Sequence, residues 1–291
     1  MRSWILVPAD NDKALATVAN AGANVVVVDL ARGGHAEKQA KTRLLARDWL
    51  ASHREQVVAA RRFSRWARVA PGDSPHWRED LEAVMEATPD GIVLGGCGGQ
   101  DDIQQFAGLL YEIEQRYGLR SNSTRIVPQI GRSPRAALQV PQLLENMHPR
   151  VSGLAWDADG LAHSLAARRK RGPGGAWSDP LAFLRAQVLL VARSLGLDAI
   201  EAPYSGPREP EPMARATEGA RADGFTGMFA THPAHVAPIN VAFAPTASER
   251  GEAQLVVSAF AVSPHADSLM HKGRRIGQPE LRWARAVLGE P

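Results

Sequence analysis

Eight short apolar segments, each followed by a longer segment with helical periodicity, constrain the fold of this chain more than any other feature. The apolar segments are residues 4–7, 24–30, 66–70, 91–94, 125–130, 151–156, 199–202 and 227–230. Consecutive strand–helix units pack as a parallel sheet, and the near-continuous valine run at 24–30 is typical of a strand buried on both faces. Eight such units favour an α/β fold of the closed (β/α)8 TIM barrel type over an open doubly wound sheet.

The end of the chain departs from this repeat. Residues 247–262 and 279–288 are predicted to form two further helices, joined by a long loop at 263–278. We therefore expect a barrel domain at 1–245 and a C-terminal helical extension at 246–291. The extension would cap the barrel mouth or contact a neighbouring subunit.

Composition excludes several classes of protein. A hydrophobic content of 44% and a charged content of 22% are those of a soluble globular chain. Cys97 is the only cysteine, which excludes an intrachain disulfide and favours a cytoplasmic protein. It lies among glycines and is interpreted as a small packing residue rather than a reactive thiol. No apolar run is long enough to span a membrane, and no nucleic-acid-binding motif is present, so neither partner is expected.

Side chains that follow barrel strands surround the active site in this fold. Arg68 is a candidate catalytic residue and carboxylate clamp, because a guanidinium offers paired donors; the alternative is a structural salt bridge. Asp29 ends a buried strand and must be paired, so it either braces Arg32 or Arg68 or takes part in chemistry. The basic run at 168–171 would meet a phosphate-bearing ligand or remain solvated.

Three further residues at strand ends are candidates for substrate binding: Pro8, Tyr204 and His232. Tyr204 would hydrogen-bond a ligand or line the rim. His232 precedes Pro233, so the first interpretation is a helix start with Thr231 as its N-cap, and the second is a catalytic histidine.

Several segments together resemble one family. They are RSWILVPAD at 2–10, VVVVDL at 25–30, WARVAP at 66–71, PDGIVLGG at 89–96, GLAWDADGL at 153–161, DPLAFLRAQVLLVARSLGL at 179–197 and GFTGMFATHPAHVAPINVAF at 224–243. Over nearly its whole length the chain resembles the HpcH/HpaI aldolase and citrate lyase β-subunit family, in particular its acyl-CoA ester lyase branch.

The resemblance implies an oligomeric (β/α)8 barrel that cleaves or forms a carbon–carbon bond with Mg²⁺. The substrate would be a CoA thioester of a hydroxy acid or a small oxo acid, and the chain would form a homo-oligomer. Arg68 would hold the substrate carboxylate, and Pro8 and the basic run would lie near CoA.

The chain departs from the family pattern at the metal site. The metal-binding glutamate falls on Arg132, or on Gly131 after a one-residue shift, and the metal-binding aspartate falls on Gly160. Asp157 and Asp159 remain nearby as alternative metal ligands. Because arginine repels a cation, Arg132 is a candidate catalytic residue that would supply positive charge instead of the metal; Arg32 is the alternative.

Other positions of the family pattern are also substituted. Where the family has two acids after Leu30, this chain has Ala31 and Arg32. The lysine that the family has after the fourth strand is absent from 94–96, and Met228 replaces a second lysine. An acid expected two residues after the tyrosine is Gly206.

These substitutions leave three hypotheses. The first is a divergent or catalytically degenerate member that keeps a pocket for a CoA ester or oxo acid. The second is an active Mg²⁺-dependent lyase of the malyl- or citramalyl-CoA type with a shifted ligand set. The third is a non-catalytic partner of an active homologue.

Overall fold

The structure is a computed structural model, which describes residues 1–31, 36–54, 63–71, 76–205, 210–263, 266–271 and 273–289. The chain folds into two compact units, Met1–Phe243 and Ala244–Pro291. Arg32 and Gly206, which the sequence analysis singled out, lie outside the described residues.

The first unit is a closed barrel of eight parallel strands in sequential order, which confirms the predicted fold class. The strands are β1 (Ser3–Pro8), β2 (Val25–Asp29), β3 (Ser64–Val69), β4 (Gly91–Cys97), β5 (Arg125–Ile130), β6 (Gly153–Trp156), β7 (Asp198–Glu201) and β8 (Gly227–Ala230). Pairing between β1 and β8 closes the sheet, so all eight carboxyl ends meet at one mouth.

Helices alternate with these strands. They are α1 (Asp12–Val18), α2 (Ala36–Ser52), α3 (Trp77–Glu86), α4 (Gln100–Arg116), α5 (Pro134–Gln139), α6 (Ala158–Ser164), α7 (Asp179–Ser194), α8 (Pro210–Asp223) and α9 (Val236–Ala242). The 3₁₀ helix Val140–Leu144 follows α5 directly. The sequence analysis did not predict α6, which contains the weak helix formers Asp159 and Gly160.

Successive residues of each barrel strand point alternately into the barrel and outward to the surrounding helices. Val25 and Val27 belong to the cluster inside the barrel, whereas Val26 and Val28 pack in the larger cluster that includes the helices. This explains why the valine run does not alternate with polar residues: both of its faces are buried. Trp66 fits inside only because residue 91 is glycine, since a Cβ there would lie 2.5 Å from its ring.

The second unit has its own small core. It contains α10 (Ala247–Val262), β9 (Ser268–His271), β10 (Arg274–Gly277) and α11 (Gln278–Leu288), which pack around Val256, Phe260 and Ile276. The prediction of a long loop at 263–278 is wrong, because β9 and β10 form an antiparallel hairpin within this segment. The two segments contain only one β-branched residue, Ile276, so they lack the composition that indicates a strand. In the described part of the chain, no helix is long and apolar enough to cross a membrane.

Candidate active site

A cavity of about 630 Å³ lies at the carboxyl ends of the barrel strands. We call it the mouth cavity and define it by its charged lining residues, Asp29, Arg68, Arg132, Asp157 and Asp159. All three predicted catalytic residues and both alternative metal ligands therefore lie in one cavity, as expected for a barrel of this type.

Arg68 is held firmly in the mouth cavity by two neighbours. It is paired in register with Asp29 on the adjacent strand, and its Nη1 donates to Asp29 Oδ1 at 3.1 Å. Its Nε donates to Gln129 Oε1 at 2.9 Å. The side chains of Arg68 and Asp29 are only 14% and 8% exposed, so water screens this pair weakly. Of the two partners expected for Asp29, the structure shows Arg68.

Asp29 also fixes the backbone beside this pair. The Oδ1 atom of Asp29 accepts a hydrogen bond from the amide of Ala31 at 3.0 Å. Both bonds to Asp29 use its Oδ1 atom, and none of the bonds of Arg68 uses its Nη2 group.

Two glycines at the end of β4 form the surface on which the arginines lie. A Cβ at Gly95 would stand 2.9 Å from Arg68 Nη2, and a Cβ at Gly96 would stand 3.2 Å from Arg132 Nη1. Gly96 also has a φ of +68°, a conformation that favours glycine. Both guanidinium groups therefore pack directly against backbone where larger side chains would displace them.

Positions 132 and 160 are neighbours across the cavity wall. A Cβ at Gly160 would lie 3.2 Å from Arg132 Cα and 2.5 Å from Asp157 Oδ2. The two positions at which the resemblance implies metal-binding acids are thus side by side, and they hold an arginine and a glycine.

The two aspartates near Gly160 are both engaged. Asp157 is the N-cap of α6, and its Oδ1 accepts from the amide of Gly160 at 2.8 Å. Asp159 Oδ1 pairs with Lys170 Nζ at 2.5 Å, and the same ammonium donates to Ser205 Oγ at 3.1 Å. Among the described residues, no group of three or more His, Cys, Asp or Glu side chains could hold a metal ion.

Of the four residues predicted to bind substrate, Arg68 lines the mouth cavity, whereas Pro8, Tyr204 and His232 do not. Pro8 ends β1 beside Asp29 in the sheet register. His232, not Thr231, caps the short 3₁₀ helix Pro233–His235, because its Nδ1 accepts from the amide of Ala234. The N-cap prediction for Thr231 is therefore wrong, and Thr231 lines the mouth cavity instead.

Tyr204 lines a different cavity, outside the barrel wall. Its neighbours Pro203 and Ser205 face the mouth cavity. The roles of Pro8, Tyr204 and His232 in substrate binding stay predictions.

Sequence reasoning missed two residues that shape the mouth cavity. Gln129 could have been found, because it follows Val127 at the two-residue period of inward-facing side chains in β5. Lys170 was noticed only as part of a basic run, since nothing local indicates that it reaches Asp159. Cys97 is buried, and burial raises the pKa of its thiol to about 12, which fits a packing residue.

Comparison with known proteins gives a consistent result. Residues 2–233 match the family model for HpcH/HpaI aldolase/citrate lyase. A citrate lyase subunit beta-like protein of Deinococcus radiodurans is 27% identical, with 99% of this chain and 96% of that protein covered. A (3S)-malyl-CoA thioesterase of Cereibacter sphaeroides is 26% identical, with 89% and 82% covered.

Solved structures show the same fold. The structure of CitE from Mycobacterium tuberculosis in complex with magnesium, acetoacetate and coenzyme A matches with a TM-score of 0.69 and 22% identity, covering 99% of this chain and 97% of that chain. A citrate lyase from Burkholderia xenovorans matches with a TM-score of 0.78 and 18% identity, covering 99% and 90%.

Proposed function

Because the chain belongs to the HpcH/HpaI aldolase/citrate lyase family, we propose that the mouth cavity binds the carboxylate of a small oxo acid or of a CoA thioester. The observation that carries this proposal is the fixed position of Arg68, braced by Asp29 and Gln129. Neither of these two bonds uses Nη2, so this end of the guanidinium can donate to a ligand. A preorganised guanidinium loses little freedom when it binds a carboxylate.

The residues of the mouth cavity do not fit the Mg²⁺ site that the resemblance implies. Mg²⁺ is usually anchored by one or two carboxylates in near-octahedral geometry. Here Asp157 caps a helix, Asp159 pairs with Lys170, and Arg132 lies beside Gly160. A nearby guanidinium opposes binding of a cation. We therefore propose that arginine side chains, not Mg²⁺, hold the anionic ligand.

This arrangement has a chemical consequence. Arg68 and Arg132 would orient a carboxylate and neutralise part of its charge. However, two guanidinium groups stabilise the negative charge of a developing enolate less strongly than a coordinated divalent ion does. The proposed function is therefore that of a divergent CoA-ester carbon–carbon lyase family protein with weak or lost lyase activity.

A second function is favoured by one observation. Asp157 and Asp159 line the same cavity as Arg68. If Lys170 released Asp159, this carboxylate and the Oδ2 atom of Asp157, which the helix cap does not use, could bind Mg²⁺ in a shifted arrangement. The protein would then be an active lyase of the malyl- or citramalyl-CoA type. A non-catalytic partner of an active homologue and a homo-oligomer stay predictions.

Cleavage assays distinguish these functions. The purified protein is incubated with malyl-, citramalyl- and other hydroxyacyl-CoA esters in Mg²⁺ or in EDTA, and the products are detected by mass spectrometry. We expect turnover to be slow or undetectable and to be the same in both buffers. Turnover that requires Mg²⁺ would contradict the proposal and support the shifted ligand set.

Ligand binding is measured separately by calorimetry with acetoacetate and oxaloacetate. Arg68→Ala is expected to lower affinity at least tenfold, because a charge-assisted hydrogen bond contributes about 1.5–3 kcal/mol. The matched control is Arg193→Ala, which removes an exposed arginine in the last turn of α7. Equal affinities of the Arg68→Ala variant and the unmodified protein would refute the clamp.

A further inference from the structure

A second cavity, of about 720 Å³, lies outside the barrel wall between α7 and α8. We call it the outer cavity and define it by Arg171, Trp177, Tyr204, Gly219 and Met228. Ile200 of β7 points into the barrel, so the next residue, Glu201, faces outward into this cavity. Its volume is within the range of small-molecule sites, roughly 300–1,000 Å³.

The outer cavity adjoins the mouth cavity but is separate from it. In the segment 203–205, Pro203 and Ser205 line the mouth cavity whereas Tyr204 lines the outer cavity. In the basic run, Lys170 reaches Asp159 of the mouth cavity and the next residue, Arg171, lines the outer cavity.

Arg171 is positioned to bind an anion. Its guanidinium stacks on Trp177 at 3.6 Å from the ring centroid, and its Nη1 donates to the carbonyl of Gly175 at 2.6 Å. Its side chain makes no other hydrogen bond or ion pair within the part of the chain that the structure describes. Burial lowers the pKa of Arg171 and the charge of Arg185 adds to this effect, whereas the carboxylate of Glu201 opposes it.

Glu201 attracts Arg171 electrostatically, but neither acid of the outer cavity makes a described hydrogen bond or ion pair with it. Glu201 Oε2 accepts from Arg185 Nε at 2.5 Å, and Asp223 Oδ2 accepts from Arg185 Nη1 at 2.8 Å. Glu201 Oε1 accepts from Trp156 Nε1 at 2.6 Å and from the amide of Ala202. Arg185 pairs with both acids, so the guanidinium of Arg171 keeps donors that a ligand can use.

The rest of the outer cavity suits an apolar body with one polar end. Helix α8 presents small residues, Ala216, Gly219 and Ala220, and β8 contributes Met228. The Tyr204 hydroxyl makes no hydrogen bond to a described residue, although only 7% of Tyr204 is exposed. The hydroxyl oxygen itself reaches solvent, so it can donate a hydrogen bond to a ligand carboxylate in the outer cavity.

We propose that the outer cavity is a second ligand site, distinct from the mouth cavity, for a small carboxylic acid with an aromatic body. The carboxylate pairs with Arg171 and accepts from the Tyr204 hydroxyl. The ring lies against Met228 and the small residues of α8.

The first test measures binding of 4-fluorophenylacetate to the full chain by ligand-observed ¹⁹F NMR, with the neutral 4-fluorophenylacetamide as its analogue. We expect the acid to bind at least tenfold more tightly than the amide. Arg171→Gln is expected to weaken binding of the acid at least tenfold. Equal affinity for acid and amide, or no binding of the acid at millimolar concentration to folded protein, would overturn the proposal.

A cavity-filling variant locates the probe. A Cβ at Gly219 meets no atom within 4 Å, and leucine favours a helix more than glycine does, so Gly219→Leu is expected to fold and to abolish binding. Gly108→Leu is the matched control, because Gly108 also lies within a helix with open space around it and lines a different cavity. Arg68→Ala is expected to leave probe binding unchanged. Binding that survives Gly219→Leu but is lost in Arg68→Ala would place the probe in the mouth cavity and overturn the proposal.

Discussion

A single methyl group at position 95 tests whether the position of Arg68 determines what the mouth cavity binds. In Gly95→Ala the new Cβ would stand 2.9 Å from Arg68 Nη2, 3.1 Å from Arg68 Cζ and 3.0 Å from the Cβ of Ala70. An ordinary contact begins near 3.4 Å, so the guanidinium must move by about half an ångström. That movement strains the hydrogen bonds of Arg68 to Asp29 and Gln129.

The expected loss of affinity follows from this displacement. A charge-assisted hydrogen bond contributes about 1.5–3 kcal/mol, and loss of half of the upper value weakens binding by about tenfold. Stability should change by less than about 1 kcal/mol, because alanine lowers the entropy of the unfolded chain and partly offsets the crowding.

The assay is calorimetric titration with acetoacetate, combined with thermal unfolding to confirm that the variant is folded. Gly108→Ala is the control, because its Cβ points into open space on α4. Unchanged affinity in a folded Gly95→Ala protein would show that the ligand does not depend on Arg68 in this position.

Three further predictions concern stability and reactivity. Glu114 and Arg150 form an ion pair in which both side chains are almost fully buried, so Glu114→Gln should lower the free energy of unfolding by about 3 kcal/mol in chemical denaturation, whereas exposed Glu112→Gln should not. Burial alone would raise the pKa of Glu114, but hydrogen bonds from Arg150 and two backbone amides outweigh burial, so the pKa is lowered. The stability that Glu114 contributes is therefore present above its unfolded-state pKa and is lost as the pH falls through the folded-state pKa. Asp157→Ala should lower stability by about 1 kcal/mol through loss of the α6 N-cap, as measured by denaturation. Cys97 should not react with a thiol reagent at neutral pH until the protein unfolds, and rapid labelling of folded protein would contradict its burial.

The barrel could be predicted from the sequence because the strand–helix repeat is a local signal. Each valine of 25–28 contributes to one face or the other, and the pattern needs no knowledge of distant contacts. Two short parts of the structure could not be predicted, because no repeated local pattern indicates them. The hairpin of β9 and β10 and the helix α6 are four to seven residues long, and their stability comes from packing and capping rather than from a long periodic pattern.

The mouth cavity could be predicted only in part. Asp29 and Arg68 could be predicted from their positions at strand ends, because parallel strands bring their carboxyl ends to one mouth. Which residues pair across the cavity depends on side-chain direction and loop path. Lys170 is 11 residues from Asp159, and Tyr204 faces away from the mouth cavity although both of its neighbours face into it. No local sequence pattern indicates either of these arrangements.

The most direct test of metal-independent binding is the affinity for acetoacetate measured in EDTA and again in millimolar Mg²⁺. We predict the same dissociation constant in both buffers, and a large loss in Arg68→Ala in each of them. An affinity that appears only with Mg²⁺ would contradict the arginine-based site and show that Asp157 and Asp159 rearrange to hold the ion.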